Sequence, residues 1–318
     1  MKRTWTILAA AIALVTGLCQ GAAASSGPQE VDIEGLSGTY IPSTGTTPGP
    51  GVVIIAGSGP TDRNGNNALG LNTNTYKLLA DALAAAGIAS VRYDKRGVAG
   101  SVKIGKPEKD LRVANFADDA VTVAAWLKKK PGVGPIVLMG HSEGGLIALL
   151  AAKRAHPAGI VLLAAPGRKL AAILREQFTR SNSTTRAYAP EALAIIAALE
   201  RGEDVTDIVP ALAPAFRPSV QPYLRSLMAV DPAALAEGWT KPLMVVGGGR
   251  DVQIGKSDFD ALTASRPDAV AYWEPEMAHT LKLAGPSSQS MAGAYMDPNQ
   301  PLPTGLADRI ISFIKDLK

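Results

Sequence analysis

Residues 140–145 read Gly-His-Ser-Glu-Gly-Gly and bring together the residue types that a serine nucleophile requires. An apolar run at residues 136–139 precedes them and predicts a buried strand, while residues 146–152 predict a buried helix. A strand, the pattern Gly-x-Ser-x-Gly and a helix form a nucleophile elbow, which lifts a serine hydroxyl above the edge of a sheet. Side chains in place of its glycines would collide with the neighbouring strand or helix. The pattern therefore predicts Ser142 as a catalytic nucleophile.

A serine hydroxyl is a weak nucleophile and needs a neighbouring base, for which the chain offers three histidines. His279 lies just past the last predicted strand, where a loop can return its side chain to Ser142. His141 adjoins the serine on the turn, and we expect its side chain to point away from the hydroxyl. His156 follows the elbow helix and is interpreted as a helix-end residue. We therefore predict His279 as the general base.

The base in turn needs a carboxylate to orient it. Asp251 follows a Gly-Gly-Gly-Arg turn directly after a predicted buried strand at residues 243–246. This position places its carboxylate at the carboxyl end of the strand, where the sites of α/β sheets form. Asp258 and Asp260 are the alternatives, but both fall inside a predicted helix, and Asp251 could instead cap a turn. We predict Asp251 as the acid of a Ser-His-Asp triad.

The elements that must position these residues follow from the hydrophobic pattern. Strands are predicted at residues 31–33, 36–41, 52–56, 88–93, 136–139, 160–164, 243–246 and 270–273. Helices are predicted at residues 74–86, 116–130, 146–152, 170–178, 190–199, 220–228, 257–264 and 306–317. Because helices alternate with most of the strands, we expect an α/β fold with a mostly parallel central sheet flanked by helices.

The alternation of strands and helices stops in the middle of the chain. Between residues 168 and 238 the patterns are helical only, which predicts a helical cap inserted between two strands. Its apolar residues, among them Phe178 and Met228, would then roof the sheet edge around Ser142 and form an apolar acyl pocket. The alternative is that these helices pack only on one another as an accessory bundle.

The beginning of the chain has the pattern of a secretory signal. Two basic residues precede an apolar run at residues 5–18, and an Ala-Ala-Ala run offers a small-residue cleavage site before Ser25. We predict a signal peptide over residues 1–24, a single domain over residues 25–318 and a secreted or periplasmic location. Cys19 is the only cysteine, but the bulky residue before it disfavours a lipid anchor.

Charge and motif spacing exclude several other classes of protein. Removal of two basic residues with the signal peptide leaves 30 basic and 28 acidic residues, a balance that argues against a nucleic-acid partner. Gly57-Ser58-Gly59 does not complete a dinucleotide motif, because Asp62 stands where the third glycine is required. The Asp62-x-Asn64-x-Asn66 segment lacks the glycine and glutamate of a calcium loop, and no zinc-ligand spacing occurs. We therefore expect no cofactor, no metal and, after signal cleavage, no membrane span.

Three separated motifs give the chain a family resemblance. They are Gly-Ser-Gly-Pro-x-Asp-Arg-x-Gly at residues 57–65, Asp-Lys-Arg-Gly at residues 94–97 and the elbow at residues 140–145. The chain resembles the α/β-hydrolase superfamily, and within it the bacterial serine esterases of the serine-aminopeptidase-like branch, whose triad runs in the order Ser, Asp, His. Residues 98–101 depart from the pattern, since many relatives have a more compact glycine-serine turn there.

The resemblance implies an oxyanion hole made of two backbone N–H groups. One would belong to Glu143 and the other to Ser58, with Gly59 as the alternative to Ser58. The same resemblance implies that four charged residues brace the surrounding loops without taking part in the chemistry, namely Asp62, Arg63, Asp94 and Arg96.

The expected function is that of a secreted or periplasmic serine hydrolase. It would cleave small carboxylic esters of short to medium acyl chains through an acyl-enzyme intermediate. The first alternative is an aminopeptidase-like enzyme, whose substrate amino group would need an acidic partner such as Glu176, Glu191 or Glu200. The second is a non-catalytic binding domain on a hydrolase scaffold, which the complete triad order disfavours.

Overall fold

The computed structural model describes residues 27–45, 47–180 and 185–317 of the 318-residue chain. The predicted signal peptide, residues 1–24 with Cys19, lies outside these ranges. In the described part, each of the predicted strands is present and all of them belong to one sheet. Their bounds are β1 Gln29–Ile33, β2 Leu36–Ile41, β3 Gly49–Ile55, β4 Ala89–Tyr93, β5 Val133–His141, β6 Gly159–Leu163, β7 Leu243–Gly248 and β8 Val270–Glu274.

The sheet is mixed at one end and parallel over the rest of its width. Its strand order is β1-β2-β4-β3-β5-β6-β7-β8. β1 and β2 form an antiparallel hairpin, and β2 runs antiparallel to β4, whereas all pairs from β4 to β8 are parallel. The hairpin turns at Glu34 and Gly35, whose φ angles of 55° and 87° suit a two-residue turn between strands. The predicted mostly parallel sheet is confirmed.

Helices cover both faces of the sheet and the edge above Ser142. The described residues contain α1 Thr75–Ala85, α2 Val113–Lys128, α3 Glu143–Ala155, α4 Leu170–Thr179, α5 Ala189–Glu200, α6 Ala213–Phe216, α7 Gln221–Met228, α8 Pro232–Glu237, α9 Lys256–Ser265, α10 Ser288–Met296 and α11 Leu306–Lys315. Three of these, α6, α8 and α10, are not predicted by the sequence patterns. Among the described residues, no helix combines the length and the hydropathy needed to cross a membrane.

The strands build two cores because alternate residues point to opposite faces. Val53 and Ile55 of β3 pack with α2, α3 and α9 on one face. Val52 and Ile54 pack with α1 and α11 on the other face. A continuous apolar run is therefore the sequence pattern of a strand that is buried on both sides.

Helices α4–α8 lie between β6 and β7 and form the cap. The cap has a core of its own, in which Phe178, Phe216 and Met228 are buried. The Phe178 and Phe216 ring centroids are 5.3 Å apart. The sequence analysis places Phe178 and Met228 on a pocket wall, which is wrong for both: they lie in the cap core, and other residues line the cavity beneath the cap.

Several polar contacts tie the cap to the sheet domain, and two of them involve a carboxylate of that domain. At its beginning, the buried Asp258 carboxylate of α9 accepts hydrogen bonds from the backbone N–H groups of Gly167 and Arg168, both at 3.1 Å. The Arg168 guanidinium also pairs with Asp258 at 2.7 Å. The second contact joins the Arg217 guanidinium to Glu108, which lies in the segment between β4 and α2. Since β4 and β7 flank β5 on opposite sides, these two contacts also lie on opposite sides of Ser142.

Candidate active site

Ser142 lies at the turn between β5 and α3, where the sequence pattern predicts it. Its φ of 54° and ψ of −126° are rare for an L-residue, and a strained turn of this kind exposes the hydroxyl at the end of the strand. A Cβ on Gly140 would come within 2.1 Å of the Gly144 carbonyl oxygen. A Cβ on Gly144 would come within 2.3 Å of the Ile55 carbonyl oxygen of β3. The tight turn therefore depends on both glycines, for the steric reason expected from the sequence.

Asp251 and His279 meet beyond the carboxyl ends of β7 and β8. His279 Nδ1 lies 2.7 Å from Asp251 Oδ2, and both side chains are almost completely buried. The other carboxylate oxygen accepts the backbone N–H groups of Gln253 at 2.7 Å and Ile254 at 2.9 Å. Because an ionised carboxylate only accepts hydrogen bonds, the proton of the neutral imidazole is on Nδ1. This arrangement leaves His279 Nε2 unprotonated and able to take a proton.

Ser142 and His279 line one cavity of about 530 Å³, together with Gly57, Ser58 and Tyr295. In the described residues, the Ser142 hydroxyl makes no hydrogen bond with the His279 ring. Hydrogen bonds of this kind are often long in unliganded enzymes and shorten when substrate binds. The structure thus brings the predicted nucleophile and the predicted base to one cavity, without a direct hydrogen bond between their side chains.

The loop after β3 lies directly against the elbow. A Cβ on Gly57 would come within 3.2 Å of Ser142 Cβ. In the described part of the chain, the backbone N–H of Ser58 has no hydrogen-bond acceptor. The N–H of Glu143 belongs to the first turn of α3, where backbone N–H groups lack intrahelical acceptors and carry partial positive charge. Both N–H groups therefore remain able to donate a hydrogen bond.

Comparison with known families decides the classification. A family model described as "Serine aminopeptidase, S33" (Hydrolase_4) matches residues 69–281, about two thirds of the chain. The chain belongs to this family. The matched range includes Ser142, Asp251 and His279 of this chain. The Gly57–Ser58 loop lies before the matched range.

A characterised relative supports the same branch of the superfamily. Esterase EstD of Thermotoga maritima is 31% identical to the chain over 231 residues. The aligned region covers 72% of this chain and 53% of that protein. The chain thus spans about half the length of this curated relative.

Solved structures share the α/β-hydrolase fold at low sequence identity. Est1E from Butyrivibrio proteoclasticus, solved with ferulic acid, superposes with a TM-score of 0.55 at 17% identity, covering 90% of this chain and 96% of that one. The α/β hydrolase GrgF from Penicillium sp. sh18 gives 0.58 at 18% identity, covering 92% and 98%. An esterase of Pyrococcus furiosus gives 0.58 at 17% identity, covering 92% and 91%. The predicted α/β-hydrolase fold is therefore confirmed.

Asp258 and Asp260, the two alternatives to Asp251 as the acid, have other partners. Asp258 binds the beginning of the cap, as described above. Asp260 pairs with Lys256 one helical turn away, at 2.6 Å and with both side chains exposed. In the described residues, Asp251 is the carboxylate that contacts the His279 ring.

The other two histidines differ sharply in their surroundings. His156 is exposed and ends α3 in a left-handed conformation with φ of 48°, as its interpretation as a helix-end residue requires. His141 is buried, and its Nε2 lies 2.7 Å from the His279 carbonyl oxygen. Since a carbonyl only accepts, Nε2 carries the proton, and Nδ1 accepts the Tyr76 hydroxyl at 2.8 Å. Burial lowers the pKa of His141 to about 3, so the ring is neutral.

The sequence analysis does not predict this role of His141, whose ring holds the backbone carbonyl of His279. The signal that could have suggested it is a histidine at the end of a buried strand, since such a ring needs two polar partners. The Tyr76 hydroxyl that supplies one of them also accepts the backbone N–H of Gly57 at 3.0 Å. One tyrosine therefore connects the Gly57–Ser58 loop to the His279 loop through His141.

A second cavity, of about 300 Å³, extends from Ser142 beneath the cap. Ser58, Glu143 and Leu146 form its floor, and the cap contributes mainly apolar walls from Ile173, Leu174, Phe216, Leu224 and Leu227. Apolar cap residues and Ser142 therefore line the same cavity. A larger cavity of about 730 Å³ lies at the opposite ends of the strands and is lined by none of the predicted site residues.

The charged residues around the motif loops act as braces, as the resemblance implies. Asp94 accepts the Arg63 backbone N–H at 2.8 Å and pairs with its guanidinium at 3.3 Å. Asp62 accepts the N–H groups of the Asn64 and Asn66 backbone, and Arg96 pairs with Asp119. The departure at residues 98–101 leaves this brace intact, since the Gly100 N–H also donates to Asp94 at 3.0 Å.

Proposed function

We propose that this chain is a serine hydrolase that cleaves carboxylic esters through an acyl-enzyme intermediate. The observation that carries the proposal is the buried hydrogen bond of 2.7 Å between His279 Nδ1 and Asp251, beside a cavity shared with the strained Ser142. The family match and the similarity to the esterase of Thermotoga maritima support the same chemistry.

In the proposed mechanism, Ser142 Oγ attacks the ester carbonyl carbon while His279 Nε2 takes the hydroxyl proton. Asp251 stabilises the imidazolium that forms, and the N–H groups of Ser58 and Glu143 receive the oxyanion. Collapse of the tetrahedral intermediate releases the alcohol, which takes its proton from His279. Water then repeats these steps on the acyl-enzyme and yields the carboxylic acid and free Ser142.

Ser58 is favoured over Gly59 as the second oxyanion donor by its position. Ser58 lines both the cavity that contains His279 and the cavity beneath the cap, and Ser142 lines both as well. Gly59 lines only the second of these two cavities. When the acyl part of the ester occupies one cavity and the alcohol part occupies the other, the ester carbonyl lies between the two cavities. An N–H group at this position, such as that of Ser58, is then next to the carbonyl oxygen.

The acyl group of the proposed substrate occupies the cavity beneath the cap. Its walls are mainly apolar, which favours hydrocarbon chains, and its volume of about 300 Å³ lies at the lower limit of typical ligand pockets. Short and medium acyl chains fit this volume better than those of long triglycerides.

An aminopeptidase activity is less well supported by the charges of the cap. Glu176 and Glu200 are hydrogen-bonded to arginines, which hold the pKa of both carboxyls below the usual range. Glu191 is exposed at the start of α5 and does not line the cavity beneath the cap. None of the three acids considered for a substrate amino group is therefore presented to that cavity as a free carboxylate.

The experiment that tests the proposal combines active-site labelling with a substrate panel. A fluorophosphonate should label the protein once, at Ser142, and p-nitrophenyl esters of short and medium chains should be hydrolysed faster than aminoacyl p-nitroanilides. Ser142→Ala should abolish the label and lower turnover by about 10⁴- to 10⁶-fold. Ser58→Ala is the matched control, because it removes a neighbouring hydroxyl but keeps the amide and should keep the label. Labelling of another serine, or faster cleavage of the anilides, would contradict the proposal.

We also propose that residues 1–24 direct export and are removed. The support is the basic, apolar and small-residue pattern of this segment. When the full chain is expressed in a bacterium with two membranes, the periplasmic protein should begin at Ser25 by N-terminal mass analysis, and Cys19→Ala should not change this. A retained segment, or a lipid attached to Cys19, would contradict the prediction.

A further inference from the structure

Three side chains from separate elements contact Gly57 and Ser58, and one of them, Lys95, contacts the peptide group that joins these two residues. The Tyr76 hydroxyl of α1 accepts the Gly57 N–H at 3.0 Å. The Lys95 ammonium, just after β4, donates to the Gly57 carbonyl oxygen. The Glu143 carboxylate of α3 accepts the Ser58 hydroxyl at 3.1 Å. A two-residue loop is thus held from both ends and from its middle.

The contact of Lys95 has a particular geometric consequence. The Gly57 carbonyl and the Ser58 N–H belong to the same peptide group, which is planar. No cis peptide bond occurs in the described residues, so the C=O and N–H of this group point in opposite directions. A cation fixed on the carbonyl oxygen therefore fixes the direction of the N–H that the proposed mechanism assigns to the oxyanion.

We propose that Lys95 is a positioning residue for the oxyanion hole, holding the Gly57–Ser58 peptide so that its N–H faces the tetrahedral intermediate. This inference rests on the proposed esterase function. Lys95 acts through the peptide and does not touch substrate. A positive charge on the carbonyl oxygen also polarises the peptide and strengthens its N–H as a donor, since hydrogen bonds in series reinforce one another.

The surroundings of Lys95 suit a fixed role of this kind. Its side chain is only 4% exposed, and its ammonium lies 3.8 Å from the Glu143 carboxylate and 5.5 Å from the centre of the Phe116 ring. Burial lowers the pKa of Lys95, and the neighbouring Glu143 charge opposes this change. The ammonium thus contacts a carbonyl, a carboxylate and an aromatic face, which are all groups that favour a cation.

The test must separate orientation of the peptide from the cost of an unpaired charge. Lys95→Met keeps most of the side-chain volume and removes the ammonium, but it leaves Glu143 buried without its cation. The double variant Lys95→Met/Glu143→Gln removes both charges, and its glutamine still offers an oxygen to the Ser58 hydroxyl. Lys106→Met is the matched control, because Lys106 is exposed, lines a cavity that Lys95 also lines and has no contact with the loop.

We expect Lys95→Met to lower kcat by about 10- to 100-fold, less than the roughly 10²- to 10³-fold cost of deleting an oxyanion donor. KM should change by less than about 3-fold, because the N–H binds mainly the charged oxygen of the transition state. Affinity for an alkyl boronic acid, which forms a tetrahedral anion on Ser142, should fall by the same factor as kcat. The double variant should regain thermal stability without regaining kcat, and Lys106→Met should match the wild type in all these measurements.

Three results would overturn the inference. They are wild-type kcat in Lys95→Met, recovery of kcat in the double variant, or a loss expressed in KM with boronic acid affinity unchanged. Failure of the inference alone would leave wild-type ester hydrolysis and labelling of Ser142 intact. If the wild type neither hydrolyses esters nor takes the label, the proposed function fails, and the inference fails with it.

Discussion

On the sheet side of the cleft, buried hydrogen bonds hold the two loops that flank Ser142, whereas on the cap side arginine–carboxylate pairs hold much of the helical framework. Tyr76, His141 and Lys95 make the buried contacts, and each contacts the backbone of Gly57 or His279. The cap pairs lie at the surface, and in the pair of Arg175 with Glu200 both side chains are nearly 40% exposed. Surface pairs are worth at most about 1 kcal/mol and weaken with salt, whereas an unpaired buried group costs about 1–3 kcal/mol.

The difference indicates that the sheet side and the cap side of the cleft have different roles in the proposed reaction. Groups that must meet the reacting atoms are fixed through the backbone by buried partners, because an error of about 1 Å in their placement can cost a hundredfold in rate. The apolar side chains that line the cavity beneath the cap lie on helices that share a separate core, and in the proposed function these side chains select the acyl chain. Changes on the sheet side should therefore affect turnover with every substrate, and changes in the cap should affect the choice among substrates.

Among the changes that test this comparison, the largest effect is expected from Asp251, the proposed acid of the triad. Asp251→Asn should lower turnover by about 10⁴-fold, because an amide in this position favours the wrong tautomer of His279. The loss should be the same for esters of every acyl length, measured as kcat with a p-nitrophenyl series. Asp258→Asn and Asp260→Asn are the matched controls and should retain far more activity. A larger loss in either control would show that the acid is misplaced.

A smaller effect, on stability, is expected from the buried histidine of the sheet side. Burial lowers the pKa of His141 to about 3, below its ordinary value near 6.5, so the unfolded chain binds this proton more readily than the folded one. Stability should therefore fall as the pH drops from about 6.5 towards 3, by up to about 1.4 kcal/mol per pH unit from this group. Urea unfolding at a series of pH values measures this slope.

Two histidine variants isolate the contribution of His141. His141→Asn should flatten the slope over this pH range, whatever its own stability at neutral pH. His156→Asn is the control, since His156 is exposed and asparagine tolerates its left-handed backbone. Equal slopes in the wild type and His141→Asn would refute the assignment of a neutral His141 in the fold.

The smallest effect is expected in the cap and concerns specificity. Leu224→Ala enlarges the apolar cavity beneath the cap and should shift the optimum towards longer acyl chains, by about 3- to 10-fold in relative kcat/KM. Phe178→Leu changes the cap core at a residue that does not line this cavity and should shift the acyl profile far less. Reaction with a small fluorophosphonate should be the same in both variants. An unchanged profile in Leu224→Ala would show that the cap does not select the acyl group.

The fold could be predicted almost completely because its signals are local. Strands buried on both faces are continuous apolar runs, and the elbow at Ser142 is recognisable from its glycines and its neighbours. Helix α10 is one of the three helices that the sequence patterns do not predict. Its residues 288–296 include a glycine and several polar residues, and it is supported by tertiary contacts, such as the hydrogen bond of 2.8 Å from Thr280 Oγ1 to the Ala294 carbonyl. Its own pattern carries little information.

The contacts of Lys95, Tyr76 and His141 could not be predicted, because they join residues that are far apart in the sequence. The contact between Lys95 and Gly57 spans 38 positions, and that between Tyr76 and His141 spans 65. Such pairs come together only because β3, β4 and β5 are neighbours in the sheet. In the sequence, Lys95 is one cation of a charged turn, and its position in the interior is the consequence of the fold.

Two of the contacts that attach the cap differ in how deeply they are buried. At Gly167 the backbone lies so close to α9 that a Cβ would come within 2.0 Å of the Asp258 carbonyl oxygen, and the Asp258 side chain is fully buried. On the other side of Ser142, Arg217 pairs with Glu108 at the surface, and Val113 of α2 donates its N–H to Ser226 of the cap. Because a surface ion pair contributes at most about 1 kcal/mol, we expect the cap to separate from the sheet domain at a lower cost in free energy beside Arg217 than beside Gly167.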